Sequence, residues 1–590
     1  MSRSRIGDTK KYSLRSSALK PELKQLKTYG HESPPEAAWD EHPRPQFRRA
    51  RFLSLNGCWE FAAGAAGSDS FPEEFSKTIR VPFPVEASLS GIGKHFPEGT
   101  PLWYRRQLPE VSVQEGESVL LHIDAVDQEA NVFVNDTFAA HIHTFQGRNG
   151  IDITPYLTDA NALTIRVTDD LSRKAFPYGK QTLKRGGMWY TPFSGIWQSV
   201  WLEVVPRDPI RGVRIHTSLT EAVVEVEGPE SGTVLFEDHE IPYQNGSVVL
   251  RPKDPVCWTP DTPQLYSFTI RAGKDEVQSY FALRTLSVQT ESGVPRLFLN
   301  GKPFFFHGLL DQGYWPDGIC TPPDPACFNE DIQAMKELGF NTLRKHIKLE
   351  PERFYYDCDR LGMIVFQDMV NNGSYSFFRD TFLPTVGIKK LSDHGINRDP
   401  ACRNMFLDCM EQTVSLLYNH PSICCWTIFN EGWGQFDADE AHDQLKALDD
   451  SRIIDTASGW FVPKNSDVSS LHVYFKPFRL PASDKPVLLS EFGGYSCKIP
   501  AHSFNLSKTY GYRFFKDPAL FMDALEKLYL GEILPAAKAG LSGAIYTQVS
   551  DVEDETNGLL TYDRALCKVD RPRMRAISEK ILFEFAGPKV

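Results

Sequence analysis

The sequence predicts a multidomain fold: a jelly-roll β-sandwich, then a smaller immunoglobulin-like β-sandwich, then a (β/α)8 TIM barrel. Three observations carry this. A chain of 590 residues exceeds what one hydrophobic core organises. Up to Leu299 its apolar residues recur in short alternating runs split by turn residues, the period of strands buried on one face. After the turn LNGKP, Leu299 to Pro303, apolar runs alternate with amphipathic helical stretches, the pattern of a parallel sheet with crossover helices.

Residues 1–45 form a polar N-terminal extension, expected either to be disordered or to strap along a partner subunit. Residues 46–206 carry LNGCWEF, SVLLHIDAV, ANVFVND, NALTIRVTD and GIWQSVWLEVV without a long helical stretch, which reads as a sandwich or jelly roll. Pro206 and Pro209 mark a linker, and 207–293 hold a second set of short strands, from GVRIHTS to VQSYFALRTLSVQ, of immunoglobulin-like size. From 294 to 590 eight apolar runs follow, beginning at Phe304, Asn341, Met363, Ser422, Arg452, Ser469, Pro486 and Ser542. Helical spacing appears in NEDIQAMKELG, PERFYYDCDRLG, CRNMFLDCMEQTVSLLYNH, ADEAHDQLKALDD, DPALFMDALEKLYLGEIL and RMRAISEKILFEF. Eight βα units in this length fit a (β/α)8 barrel.

The net charge of -12 is spread along the chain, and no Lys/Arg run appears, so neither nucleic acid nor an anionic membrane is an expected partner. MSRSRIGDTKKYSLRSS lacks the apolar core of a signal peptide, and no apolar run approaches 18 residues. Eleven cysteines without paired spacing read as free thiols. These features lead to the expectation of a soluble, cytoplasmic protein.

Barrel strands are buried on both faces and open at their C-terminal ends onto the face that carries chemistry. WTIFNEGWG sets Asn430 and Glu431 at that end of the fourth run, and PVLLSEFGG sets Glu491 at the end of the seventh, three strands later. Two carboxylates sharing one mouth are what retaining glycoside cleavage needs: a nucleophile, and an acid that later serves as base, about 5 to 5.5 Å apart. The apolar neighbours of Glu431, Phe429 and Trp433, favour its protonated form, while Glu491 near Tyr495 is expected to stay ionised. Ordinary ion pairing of two strand-end glutamates is the alternative reading of the pattern alone.

The chain resembles the family 2 glycoside hydrolases, which include β-galactosidases, β-glucuronidases and β-mannosidases. The resemblance runs in order through LNGCWEF, LWYRRQLP, SGIWQSVWLE, CWTPDTPQLY, LNGKPFFFHG, GFNTLRKH, FNEGWG and LLSEFGG. It implies that Glu431 is the general acid/base, Glu491 the nucleophile, Asn430 a ligand of the sugar 2-hydroxyl and Tyr474 a support of the nucleophile. It also implies that Arg344 or His346 lies near the substrate. Trp315, Trp433 and Trp460 follow strand ends, where they either stack on a sugar or pack the rim; Asp311 and Gln312 are set to bind hydroxyls, Asp311 foremost.

Three departures from the family pattern concern the sugar. The segment YTQVSDVEDETNGLLTYDR has no Asn-x-Lys element of the kind that holds a uronate in the β-glucuronidases, so a uronate would need Arg344, Lys345 or Lys184. Thr547 replaces a tryptophan floor, and LKRGGMWYTPFSG lacks a hydroxyl-gripping aspartate, with Trp189 standing near its place. Asp368 and Asn371 are poor substitutes for magnesium ligands, so no metal and no other cofactor are expected. The reading is a retaining exo-β-glycosidase, β-galactosidase-like, on a carbohydrate substrate, with homo-oligomer assembly left open. A uronide, mannoside or arabinoside substrate, an inverting mechanism, and a non-catalytic carbohydrate-binding protein are the alternatives.

Overall fold

The computed structural model describes residues 22–32, 39–388 and 392–586. Two antiparallel sheets come first. One, in spatial order, is Phe52–Ser54, Val200–Pro206, Glu117–Ile123 and Ile151–Asp152; the other has six strands, from Lys77–Val81 at one edge to Thr137–His143 at the other. Their inward residues, among them Trp59, Leu121, Ile165 and Leu202, form one core. A second pair of sheets, of three and four strands between Gly212 and Phe281, closes on Val224, Ile270 and Phe281. Alternation is clear in Tyr266–Ala272, whose odd positions are buried or nearly so. Arg49 links the two sandwiches from a buried position, with Nη1 donating to Glu203 at 2.8 Å and Nε to Asp275 at 2.9 Å.

All eight barrel strands form: Phe306–Asp311, Thr342–Lys345, Ile364–Asp368, Ile423–Asn430, Ile453–Ser458, Ser469–Val473, Val487–Phe492 and Leu541–Tyr546. Every paired neighbour is parallel, and the spatial order is five, four, three, two, one, eight, seven, six. Seven strands are buried throughout, as a sheet covered on both faces requires; Ser469–Val473 alternates. The helices at Ala326–Glu337, Glu352–Leu361, Pro400–Leu417, Ala438–Leu448, Pro518–Leu528 and Arg571–Ala586 match the six expected segments. Asp399 and Asp517 cap two of them, each with a proline in the first turn.

The expectation of eight complete βα units is corrected: among the described residues no helix follows the fifth or sixth strand. Only ten residues separate Ser458 from Ser469, too few for a crossover helix, and Pro477, Pro481 and Pro486 interrupt the next connection. Strands five and six share no ladder. Side chains close the seam instead: Ser458 Oγ lies 3.3 Å from Ser470 Oγ and 2.9 Å from His472 Nε2, and Ser470 donates to Asp455 at 2.7 Å.

On either side of the boundary expected at residue 45 the chain packs against its neighbours. Trp39 packs into the barrel core and Phe47 into the second sandwich. Residues 22–32 run along the chain's own barrel, where Lys24 N–H donates to Phe504 O at 2.7 Å and Thr28 to Asp317. Residues 1–21 of the extension lie outside the described residues. All eleven thiols are free, and among the described residues no helix is long and apolar enough to cross a membrane.

Candidate active site

Glu431 stands one residue past the fourth strand, with φ 52°, a left-handed backbone costly for any residue with a Cβ. Its N–H donates to Ser458 O at 3.0 Å, and Gly432 follows at φ 77°, where a Cβ would meet the Phe461 ring at 2.5 Å. That turn explains the Glu-Gly pair at the end of so apolar a strand. Glu491 lies within the seventh strand and is 5% exposed. One carboxylate oxygen of Glu431, one of Glu491 and a ring nitrogen of His472 all lie within 4.8 Å of one another.

The two carboxylates have different partners. Glu491 Oε1 accepts from Arg344 Nη1 at 3.1 Å, and Oε2 accepts from the Tyr474 hydroxyl. Arg344 is fully buried and also donates to Asp368 at 2.9 Å, Ser490 O at 3.2 Å and Asn430 Oδ1 at 2.8 Å. Burial weakens a guanidinium charge, but Asp368 and Glu491 more than reverse this and hold the Arg344 pKa above its ordinary value. Tyr474 stacks on Tyr512, centroids 3.7 Å apart, and burial beside Glu491 raises its hydroxyl pKa, so it remains a donor. Glu431 keeps 12% of its side chain exposed and sits 2.8 Å from His472 Nδ1. The nearby Trp460 indole donates to Glu431 O at 3.0 Å and to Asp380 O at 3.2 Å.

The other expected residues divide into two groups. Asn430, Tyr474, Arg344, Trp433 and Trp460 surround the pair. His346 stands behind it, 2.8 Å from Asp368 through Nδ1, and burial takes its pKa down to about 3. Trp189 reaches in from the first sandwich, its ring 5.2 Å from Trp433 and 5.0 Å from Tyr375. Asp311 instead turns into a buried ion network: Oδ2 accepts from Lys345 at 2.6 Å, Oδ1 from Gly313 N–H at 3.0 Å, and Lys345 also bonds Glu350. Strand alternation accounts for this, since Arg344 and Lys345 point to opposite sides of the second strand. Gln312 bonds Gln548, Trp315 is buried against Phe328, and Thr547 Oγ1 lies 3.4 Å from Tyr474 Oη.

Sequence reasoning missed His472, although it lies two residues before Tyr474 in a strand, and period two puts both on one face. It also missed Tyr512, Glu555 and Lys180, which arrive from loops that carry no periodic signal. Glu555 accepts from Tyr190 and from Gln548, and burial raises its pKa while Lys180 opposes that rise. Among the described residues the metal-compatible cluster is Glu431, His472 and Glu491. A cation there would face Arg344 Nη1, which is 3.1 Å from Glu491 and 3.5 Å from His472, so the donor set does not suit one.

Comparison with known proteins agrees with this geometry. Residues 292–481 match the sequence model for the TIM barrel domain of the glycosyl hydrolases family 2. A putative β-glucuronidase of Formosa agariphila is 22% identical over 58% of the chain and 41% of its own length. A β-galactosidase of Thermoanaerobacter pseudethanolicus is 23% identical over 59% of the chain and 47% of its own. The matches thus span less than half of each of these curated relatives. The solved β-D-glucuronidase of Dictyoglomus thermophilum superposes with TM-score 0.69 at 17% identity, covering 92% of this chain and 98% of that one. The β-galacturonidase of Eisenbergiella tayi, solved with galacturonate, does so with TM-score 0.63 at 18% identity, covering 91% and 99%. Family match, barrel and strand-end glutamates converge, and residues 292–481 are similar to the TIM barrel domain of the glycosyl hydrolases family 2.

Proposed function

We propose that this protein is a retaining exo-β-glycosidase that releases terminal β-linked sugars by double displacement. The observation that carries the reading is the close approach of two strand-end carboxylates, oxygens within 4.8 Å, held by unlike partners. In this scheme Glu491, which accepts from Arg344 and Tyr474, attacks the anomeric carbon to form a glycosyl ester. Glu431 protonates the leaving oxygen, then takes a proton from the water that hydrolyses the ester.

The hydroxyl network supports that assignment of the proton. Ser458 donates its one hydrogen to Ser490 at 2.8 Å and so receives the bond from His472 Nε2–H at 2.9 Å. A neutral His472 of that tautomer offers Nδ1 as an acceptor, and Glu431 then carries the shared proton. With Asn430 Oδ1 accepting from Arg344, its Nδ2 hydrogens are aimed to donate to the sugar 2-hydroxyl, a bond that strengthens as the ring flattens.

For the sugar, a β-galactoside and a β-linked uronide are the two readings, the first supported by a relative named β-galactosidase and the second by relatives named β-glucuronidase and β-galacturonidase. A mannoside or arabinoside has no specific observation behind it. Residues 46–206 serve in this reading as a jelly-roll sugar-binding domain and 207–293 as an immunoglobulin-like spacer. The pair of buried, partnered carboxylates argues against a purely carbohydrate-binding role. Proton NMR of the first-formed sugar from nitrophenyl β-glycosides tests the mechanism. The β-anomer is expected; initial release of the α-anomer would assign an inverting enzyme, and no release from a broad panel would favour binding alone.

A further inference from the structure

The cations that the sequence offers for a uronate do not serve. Arg344 is committed to Asp368, Glu491 and Asn430, Lys345 to Asp311 and Glu350, and Lys184 is exposed. Arg185, in the same loop as Lys184, pairs with Glu553 and Asp554. Lys180 differs from all of these. It is 4% exposed, yet among the described residues its ammonium has no hydrogen-bond acceptor and no carboxylate within ion-pair distance. It stands 5.0 Å from the centroid of the Trp433 ring, two residues beyond Glu431, and 5.7 Å from that of Tyr190. Trp433 Nε1 is itself buried without an acceptor among the described residues. Among the described residues these two donors therefore have no hydrogen-bond acceptor, although a buried ammonium gains most from charged acceptors.

Lys180 is held in this place by the backbone. Gly179 has φ 58°, and a Cβ there would come 3.1 Å from Ile347 O, so only glycine lets the first sandwich press this close to the barrel. Tyr178 N–H donates to Asn371 O and its hydroxyl to Gly373 O, both at 3.1 Å, while Lys180 O accepts from Tyr190 N–H at 2.9 Å. The cation is thus presented by a pinned loop, without the entropy cost of ordering an exposed lysine.

Resting on the glycosidase reading above, we infer that Lys180 is a specificity residue that binds the carboxylate of a uronic acid, making a β-linked uronide the preferred substrate class. The acceptors that would complete the ammonium are carboxylate oxygens on the sugar.

The test compares wild type, Lys180→Met and Lys180→Arg on four nitrophenyl substrates: β-glucuronide, β-galacturonide, β-glucoside and β-galactoside. Wild type is expected to favour one of the uronides. In Lys180→Met the ratio of uronide to neutral kcat/KM should fall about 100-fold, the usual scale of a charge-assisted hydrogen bond, with partial recovery in Lys180→Arg. A ratio that stays put, with both substrate classes falling together, overturns the inference while leaving the glycosidase reading intact. Calorimetry with free glucuronate, galacturonate, glucose and galactose keeps the two separable if no glycoside is turned over. Uronate binding lost in Lys180→Met supports the site; uronate binding absent in wild type, or equal in the variant, removes it.

Discussion

The wall behind Glu491 and the wall behind Glu431 are built from the same barrel and surround the same functional group with unlike partners. Glu491 is set inside a strand, nearly sealed from solvent, with a guanidinium and a phenol as donors. Every one of those contacts favours the anion. Glu431 lies past its strand on a left-handed residue, keeps some exposure, and meets an imidazole that can share a proton with it. The difference teaches that two glutamates a few ångströms apart on one barrel are given unlike partners, a guanidinium and a phenol for one and an imidazole for the other.

The comparison breaks most severely at Glu491, the proposed nucleophile. Glu491→Ala should reduce turnover on the order of 10⁴-fold or more, for good and poor leaving groups alike, because no ester can form. Steady-state kcat on a dinitrophenyl and an alkyl glycoside checks this; a loss confined to one substrate would reassign the residue. Next in size is Glu431→Ala, whose cost should depend on the leaving group: about 10²-fold to 10⁴-fold for an alkyl aglycone and far less for dinitrophenolate, which departs without protonation. Equal losses on both would remove Glu431 from the acid role.

How much of this was legible in the sequence follows from how local each signal is. The eight strands, six helices and both glutamates declare themselves through period, length and a polar residue at the end of an apolar run, all properties of contiguous residues. Arg344 and Asn430 were found because they too sit at strand ends. Asp311 sits at a strand end as well, yet its carboxylate faces Lys345, and the choice between interior and exterior depends on where the second strand places its consecutive Arg and Lys. The eight expected βα units overlooked a short fifth connection and a proline-broken sixth, which among the described residues carry no helix, and the seam that results, stitched by Ser458, Ser470 and His472, needs three segments brought together. Lys180 and Glu555 were beyond reach for the same reason: each is an ordinary loop residue until the first sandwich docks on the barrel mouth.

The smallest effect sharpens the comparison from the acid side. His346 backs the Glu491 wall through Asp368, whose other oxygen holds Arg344. Burial lowers the His346 pKa to about 3, against the partial opposition of Asp368, whereas in the unfolded chain it titrates near 6.5. Between those values the unfolded chain binds the extra proton, so stability is constant above pH 6.5 and falls as pH drops toward 3. From pH 7.5 to 5.5 the loss due to this one residue should be about 1.4 kcal/mol. His346→Gln, which cannot take up the proton, should lack it. The measurement is the urea unfolding midpoint of wild type and variant at both pH values. If the two decline in parallel, His346 titrates in the fold as it does in the unfolded chain, and burial behind Asp368 does not hold it neutral.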